Sequence, residues 1–428
     1  MLALVSATDA IMLGWIDQTS LSAVSLAGQV QFVLSLFISG IAAGAGIMAA
    51  QYWGKQDAAS IEKVIPIALR TNLLFSGLFT ILAGFCPEML MRIFTNDAAL
   101  VASGSQYLRA VALSYVLCGI SQVYLILLKN TGHAAVSSRI SSTAVVLNII
   151  LNAILIYGLC GAPALGIRGA AYATVAARVV ELIWAYLETK KPERVRILWN
   201  RLFSSAGKIL SEDFWRYTLP VLAASLVWGI AYVLYSVIMG HMGSDAVAAN
   251  SITSIAKSLL SCLIRGVSGG AGVLIGNLLG ANELEKAREY GGRLSHLSIA
   301  IGIVTGGLLM LISPAIVHFA PLSDTAAEYL QYMLLFCGLN LMAQSVNTTV
   351  LDGIFCAGGD AKFDMQGNIG AMWCFSVPLG FLAAFWLKLP VMVVYCIVNL
   401  DEIVKLPAVY HHYKKYIWVR NITRDIED

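Results

Sequence analysis

The chain has 428 residues, of which 58% are apolar and only 12% are charged, and its formal net charge is +3. A soluble domain carries about 45–50% apolar and about 25% charged residues, so this composition excludes an ordinary water-soluble protein. The small net charge gives no support for nucleic-acid binding. Most of the chain is therefore expected to lie in a lipid bilayer as helices, which satisfy their own backbone polar groups.

About twelve apolar segments have the length, roughly 20 residues, that a membrane-spanning helix needs. In chain order they are 1–16, 22–50, 61–86, 106–128, 135–158, 165–188, 213–240, 246–279, 294–319, 327–355, 366–386 and 389–410. The first segment is about half as long as its counterpart in the second half of the chain. This difference indicates either a truncated protein or a start codon upstream of Met1.

Segments two and eight are copies of one another at a constant offset of 226 residues, from 14–54 to 240–280. Eleven aligned pairs are identical, among them Gly44 with Gly270, and these glycines predict close helix packing. Six helices separate equivalent points, so both halves enter the membrane in the same direction. The pattern predicts an all-α polytopic membrane protein of two pseudo-symmetric six-helix lobes.

Lysine and arginine residues concentrate in alternate loops, and the densest group lies between the two halves. Basic loops stay in the cytoplasm, so both termini are expected inside, with the protein in the inner (plasma) membrane. The predicted organisation is an N-lobe at 1–188, a cytoplasmic linker at 189–211 and a C-lobe with a basic tail at 212–428. We expect the protein to work as a monomer in the bilayer.

Five motifs occur in an order that identifies a family. They are Asp9-Ala-Ile-Met-Leu-Gly14, Ala50-Gln-Tyr-Trp-Gly54, the helix-five and helix-six segment from Leu147 to Thr174, Gly276-Asn-Leu-Leu-Gly-Ala-Asn282 and Ala357-Gly-Gly-Asp-Ala-Lys-Phe363. Over essentially its whole length the chain resembles the multidrug and toxic compound extrusion (MATE) family. The resemblance implies a twelve-helix antiporter that exchanges organic cations for inward-moving Na⁺ or H⁺.

Ionisable and amide side chains in the first lobe are the leading site candidates, because polar groups in hydrocarbon are costly. Asn148 and Asn152 are four residues apart and share one helix face. The resemblance implies an ion-coupling pocket of Asp9, Asn148, Asn152 and Thr174. One version of the family motif has an aspartate at Asn152, so this pocket lacks one charge and favours H⁺ or weakly held Na⁺. Hydration of Asp9 and plain interhelical hydrogen bonding of the amides remain alternatives.

The second lobe has its own charged candidates, Arg265, Asp352, Glu402 and Lys405. Asp352 and Arg265 are predicted to form a cross-helix pair. Glu402 and Lys405 are at i,i+3 spacing. The alternative for this pair is that the two charges neutralise each other and have only a structural role.

Three aromatic residues, Trp228, Tyr232 and Tyr235, fall on one face of the seventh helix. They are candidates for cation–π contact with a substrate, with helix packing as the alternative.

These patterns predict a secondary active antiporter that exports organic cations or drugs. The chain has no HExxH motif and no phosphate-binding loop, so an enzyme is not predicted, nor is ATP as the direct energy source. No cofactor is expected, and no metal beyond a possible Na⁺ at the coupling residues. The alternatives are a flippase for a lipid-linked precursor, for which the mixed membrane charges fit poorly, and a truncated transporter without activity.

Overall fold

A computed structural model describes residues 12–13, 18–197, 199, 202, 207–320 and 322–425. The helices are α1 (Gln18–Gly54), α2 (Ala58–Phe85), α3 (Pro87–Arg92), α4 (Ala98–Leu128), α5 (Ala134–Tyr157), α6 (Ile167–Thr189), α7 (Lys208–Gly240), α8 (Ser244–Gly280), α9 (Leu284–Phe319), α10 (Asp324–Thr348), α11 (Ala361–Asn368), α12 (Val377–Phe381), α13 (Val391–Val398) and α14 (Asp401–Tyr413). A kinked segment, π1 (Lys129–His133), separates α4 from α5, and the π-helical turns are π2 (Thr349–Phe355), π3 (Ile369–Ser376) and π4 (Leu382–Trp386).

The predicted spans from the second to the twelfth coincide with helical segments, and the all-α polytopic class is confirmed. Within the described ranges, nine helical stretches are long and apolar enough to cross a membrane. One of them, Ala98–Tyr157, contains both α4 and α5, which are separated by non-helical backbone at Thr131 and Gly132. The final predicted span, 389–410, is two helices with a break at 399–400.

Several helices extend beyond their apolar segments because polar residues stabilise their ends. α4 begins eight residues before its predicted start, where Asp97 accepts hydrogen bonds from the Ala99 and Leu100 amides at 2.8 and 3.3 Å. Such caps satisfy amide groups that have no partner within the helix. α9 begins at Leu284 instead of 294, since its first turns are polar and exposed. Hydropathy therefore locates the membrane segments but underestimates helix length.

The chain divides into two compact units. The first comprises the described residues up to Ala49 together with Asp57–Thr218, and the second comprises Ala50–Gln56 and Leu219–Asp428. The division falls within α7, and the end of α1 groups with the second unit. The predicted lobe limits at 188 and 212 stay a prediction.

Each unit has its own apolar core. In the first unit, Tyr115 and Leu108 of α4 lie at the centre of a buried cluster. The second unit has three clusters, centred on Leu334 of α10, on Phe355 of π2 and on Tyr235 of α7. The sites described below lie beside these cores.

The two repeated segments meet at their C-terminal ends, within the second unit. A Cβ at Gly54 would collide with the backbone of Asn277, and a Cβ at Gly280 would collide with the backbone of Gln51. At the 226-residue offset, Asn277 is the equivalent of Gln51 and Gly280 is the equivalent of Gly54. The contact is therefore reciprocal, as two related segments around a two-fold axis require. We call it the reciprocal glycine contact.

We expect the equivalent glycines Gly44 and Gly270 to respond differently to alanine. A Cβ at Gly44 would lie 2.7 Å from the Thr218 Cα, whereas no atom lies within 4 Å of a Cβ at Gly270. Gly44→Ala should cost about 1–3 kcal/mol of stability through overpacking. Gly270→Ala should be neutral or stabilising by up to about 1 kcal/mol, because alanine favours helix.

Thermal unfolding of both variants in detergent measures this difference. Equal losses of stability in the two variants would contradict it. Our expectation that both glycines provide close helix contact is wrong for Gly270, because the space beside its Cα is open.

Candidate functional site

Three of the four first-lobe candidates lie together between α5 and α6. Asn148, Asn152 and Thr174 are all buried, with exposed fractions of 2% or less. Asn152 donates from Nδ2 to Asn148 Oδ1 at 3.4 Å, and Asn148 donates from Nδ2 to Thr174 Oγ1 at 3.2 Å. The Thr174 hydroxyl donates to the Ala170 carbonyl at 3.1 Å. The structure thus forms one hydrogen-bonded chain from these residues, while Asp9 lies outside the described residues.

A small cavity adjoins this chain. Its volume is about 10 Å³, and Asn148, Thr174 and Arg178 are among its lining residues. That volume holds about one water molecule. Arg178 forms a buried ion pair with Glu181, so its charge is neutralised locally. This i,i+3 pair makes the first-unit pocket polar without adding net charge.

Lys405 lies at the centre of a buried ionic cluster in the second unit. Its ammonium is 3.4 Å from Glu402 Oε1 and 3.5 Å from Asp401 Oδ2. It also donates a 3.0 Å hydrogen bond to Asn368 Oδ1. Only 5% of Lys405 is exposed, so it makes these contacts away from solvent.

Two amide side chains connect the cluster to neighbouring helices. Asn347 of α10 donates from Nδ2 to Glu402 Oε2 at 2.8 Å and to the Glu402 carbonyl at 2.6 Å. Asn368 of α11 donates from Nδ2 to Asp364 Oδ1 at 3.2 Å. Asp364, Asn368, Lys405 and Glu402 therefore form a continuous polar chain across α11 and α14, and Asn347 extends it to α10. We call these residues, with Asp401 and Asn347, the ionic cluster.

The break between α13 and α14 places two members of the cluster. Asn340 of α10 donates from Nδ2 to the Asn399 carbonyl at 2.6 Å, which satisfies a backbone acceptor freed by the break. α14 restarts directly afterwards, so Asp401 and Glu402 occupy its first turn. The positive end of a helix dipole stabilises carboxylates at that position.

The ionic cluster has more negative than positive groups. Asp364, Asp401 and Glu402 contribute −3 when ionised and Lys405 contributes +1, which leaves −2. Asp352 and Lys257 act electrostatically on members of the cluster, and Arg265 acts on Asp352. They add −1 and +2, so the wider set carries −1. A single proton or monovalent cation would neutralise it.

No salt bridge within 4.0 Å joins the predicted pair of Asp352 and Arg265, although the Arg265 charge acts on Asp352. Both residues are exposed in the described structure. Asp352 lies in π2, and the Arg265 guanidinium carbon is instead 5.6 Å from the centre of the Trp228 ring. Sequence reasoning chose this pair by depth alone, which does not show which way each side chain points.

The three aromatic candidates of α7 do not share one environment. Trp228 and Tyr232 stack with ring centres 5.5 Å apart, and Tyr232 is 37% exposed. Tyr235 is 9% exposed and belongs to a core cluster with Met372 and Val377. Only the Trp228–Tyr232 pair is therefore available to a substrate.

Sequence reasoning included Glu402 and Lys405 but did not choose Asp364, Asn347 or Asn368 as site residues. Asp364 follows a turn near the start of α11, where an acidic residue is usually hydrated. Its 6% exposure is the property that the sequence did not show. The available signal was the amide at Asn368, one helical turn later and also polar in a largely apolar span.

A family model described as MatE matches residues 1–154 and 220–382 of the chain. The chain belongs to the MatE family. Among curated MatE-like relatives, an uncharacterised transporter, YisQ, of Bacillus subtilis is 21% identical over 96% of this chain and 90% of its own. A probable multidrug resistance protein, NorM, of Agrobacterium fabrum is 24% identical over 88% of this chain and 82% of its own. The resemblance to the MATE family is thereby confirmed, with transporters as its relatives.

Solved structures show the same fold. A MOP superfamily transporter from Pyrococcus furiosus, described as having a binding pocket of reverse polarity, superposes with a TM-score of 0.87 at 20% identity. The match covers 97% of this chain and 92% of that one. A MATE transporter in an outward-facing conformation gives a TM-score of 0.85 at 20% identity, over 97% and 91% of the two chains. At these identities the comparison establishes the fold alone.

Proposed function

We propose that this MatE transporter is a secondary active antiporter that exports organic cations in exchange for H⁺ or Na⁺. It works as a monomer in the inner membrane, with both termini cytoplasmic, a first lobe at 1–188, a linker at 189–211 and a second lobe at 212–428. Family membership and the names of the multidrug resistance relatives support export of small molecules. The ionic cluster is the observation that carries the proposed coupling.

The argument from the ionic cluster is electrostatic. Each charge removed from water costs several kcal/mol unless it is paired. The ionic cluster has three carboxylates and one cation, so two negative charges are left without a counter-charge inside it. In the part of the chain that the structure describes, no three His, Cys, Asp or Glu side chains are grouped to hold a metal ion. A proton on one of the buried carboxylates is the proposed counter-charge in the second unit. Asp364 is its proposed carrier, because it has no cation within 4.0 Å in the described structure.

The hydrogen-bonded residues of the first unit are a second candidate for the coupling site. Asn148, Asn152 and Thr174 offer oxygen atoms next to a water-sized cavity, and Asp9 is proposed to supply their carboxylate. Uncharged oxygen ligands suit a weakly held Na⁺ or a hydrated proton site. An organic cation that competes with the bound ion for such a carboxylate gives the exchange that antiport requires.

We expect efflux of a cationic dye such as ethidium from proteoliposomes to follow an imposed pH or Na⁺ gradient. Asp9→Asn and Asp364→Asn should each lower gradient-driven efflux at least about tenfold if the carboxylate carries the coupling ion, because an amide cannot be protonated in its place. The rate of dye efflux, measured under each gradient separately, also identifies the ion.

Asp97→Asn is the matched control, since this residue caps α4 outside the spans and asparagine caps equally well. Its efflux should equal that of the parent. Parent-like coupling in both Asp9→Asn and Asp364→Asn would refute these coupling residues. Absence of gradient-driven efflux in the parent would refute the antiporter proposal itself.

A further inference from the structure

The chain beyond α14 folds back over the reciprocal glycine contact. Trp418 is fully buried, and a Cβ at Gly358 would collide with its carbonyl. Arg420 donates from Nε to the Gly358 carbonyl at 2.7 Å and from Nη2 to the Gly359 carbonyl at 2.6 Å. These two carbonyls belong to the turn after π2. The tail is therefore fixed to the second unit by packing and by charge-assisted hydrogen bonds.

The same tail holds the end of α1. Gln51 is completely buried, and its Nε2 donates to the Ala357 carbonyl at 2.7 Å and to the Arg420 carbonyl at 3.3 Å. Its Oε1 accepts from the Ile422 amide at 2.8 Å. The Gln51 side chain thus joins the last turn of α1 both to the tail and to Ala357, in the segment that follows π2.

An exposed pair adds to this attachment. Lys55 donates to the Arg424 carbonyl at 2.8 Å and to Asp425 Oδ1 at 2.6 Å. The hydrogen bond and the positive charge of Lys55 lower the pKa of the Asp425 carboxyl below its ordinary value. Asn421 also donates to the Gly280 carbonyl of α8 at 3.4 Å. The tail therefore contacts both helix ends of the reciprocal glycine contact.

The attachment is one-sided. Asn277 is the repeat equivalent of Gln51, yet its buried Oδ1 has no hydrogen-bond partner in the described structure. The two helix ends are related by the repeat, whereas the tail occurs once. The symmetric part of the contact is the packing of each glycine against the backbone of the opposite helix, whereas the hydrogen bonds from the tail occur on one side only.

We propose that residues 414–425 form a strap that holds the ends of α1 and α8 together and controls their separation during transport. The role of the strap in transport rests on the proposed function, because a transporter of that kind must open and close one end. Its physical content is independent of transport. Hydrogen bonds to Gln51 hold the helix ends closed, and their loss should increase opening at both helices.

Gln51→Met tests the strap, since methionine keeps the size of the side chain and removes its amide. Hydrogen–deuterium exchange of the full chain in lipid nanodiscs would be followed by mass spectrometry. We expect exchange to rise about tenfold or more at 48–56 and at 276–283, because three buried hydrogen bonds are lost. Gln331→Met is the matched control, because its amide bonds Ser313 elsewhere in the second unit.

Two outcomes would overturn the strap. Faster exchange confined to 414–425 would show that the tail packs locally without holding the helix ends. Unchanged exchange at 48–56 and 276–283 in a folded Gln51→Met protein would show that the hydrogen bonds of Gln51 do not hold the helix ends together.

Lys55→Gln provides a second variant at a half-buried position, where a polar side chain of similar length is tolerated. It should raise exchange at 48–56 by a smaller factor than Gln51→Met, and no rise in either variant would refute the strap. Neither readout needs a transported substrate, so failure of the strap is distinct from failure of the antiporter proposal.

Discussion

Lys405→Met should destabilise the protein by about 3–5 kcal/mol at neutral pH, because it leaves Asp401, Glu402 and Asp364 buried without their internal cation. The loss should shrink as the pH falls. In the variant, the folded state gains more from proton binding than the unfolded chain, so its stability rises toward acidic pH. Thermal unfolding in detergent at about pH 5 and pH 8 measures both effects.

Lys286→Met is the control for this prediction, since it breaks an exposed pair with Glu283 and should change little. Lys405→Met with Asp401→Asn should recover part of the stability, because the double variant removes one charge of each sign. A pH-independent loss in Lys405→Met would show that Lys405 contributes packing and not charge compensation.

Gly280→Ala should abolish close approach of α1 and α8, because its Cβ would lie 2.5 Å from the carbonyl carbon of Gln51. A backbone atom cannot move aside as a flexible side chain can, so we expect more than the usual 1–3 kcal/mol for overpacking. Gly54→Ala should cost about as much, since the contact is reciprocal. Thermal unfolding and dye efflux are the measurements.

A double-mutant cycle makes this prediction sharper. Gly54→Ala and Gly280→Ala break one contact, so the double variant should lose much less stability than the two single losses combined. Gly266→Ala, on the same helix with open space at its Cβ, should be neutral. Additive losses would mean that the two glycines act separately.

The membrane class, most helices and the repeat could be predicted from the sequence, because each depends on long apolar runs or on aligned residues. The hydrogen-bonded residues of the first unit could also be predicted. The spacing of Asn148 and Asn152 places them on a common helix face, and Thr174 was implied by the family resemblance. The spacing placed Trp228 and Tyr232 on one helix face, but it did not predict that their rings stack. The different environment of Tyr235 depends on which helices pack beside α7, and no local pattern contains that information.

The ionic cluster was only half predictable for the same reason. Glu402 and Lys405 are neighbours on one helix, so their spacing revealed them. Asp364 and Asn347 come from other helices, and the break at 399–400 that orients α14 depends on Asn340. The sequence indicated only a basic tail for the strap, because its contacts with Gln51 and Lys55 join residues more than 300 positions apart.

The π-helical turns give the second unit a property that straight α-helices lack. A π turn contains one residue more than an α turn, and it is tolerated as a local bulge in an otherwise continuous helix. Conversion of such a turn to α geometry would rotate the residues beyond it by about 100° and shift them by about 1.5 Å. π3 directly follows Asn368, and π2 begins two residues after Asn347. The two amides of the ionic cluster are thus attached to segments whose register can change by one residue without breaking the helix.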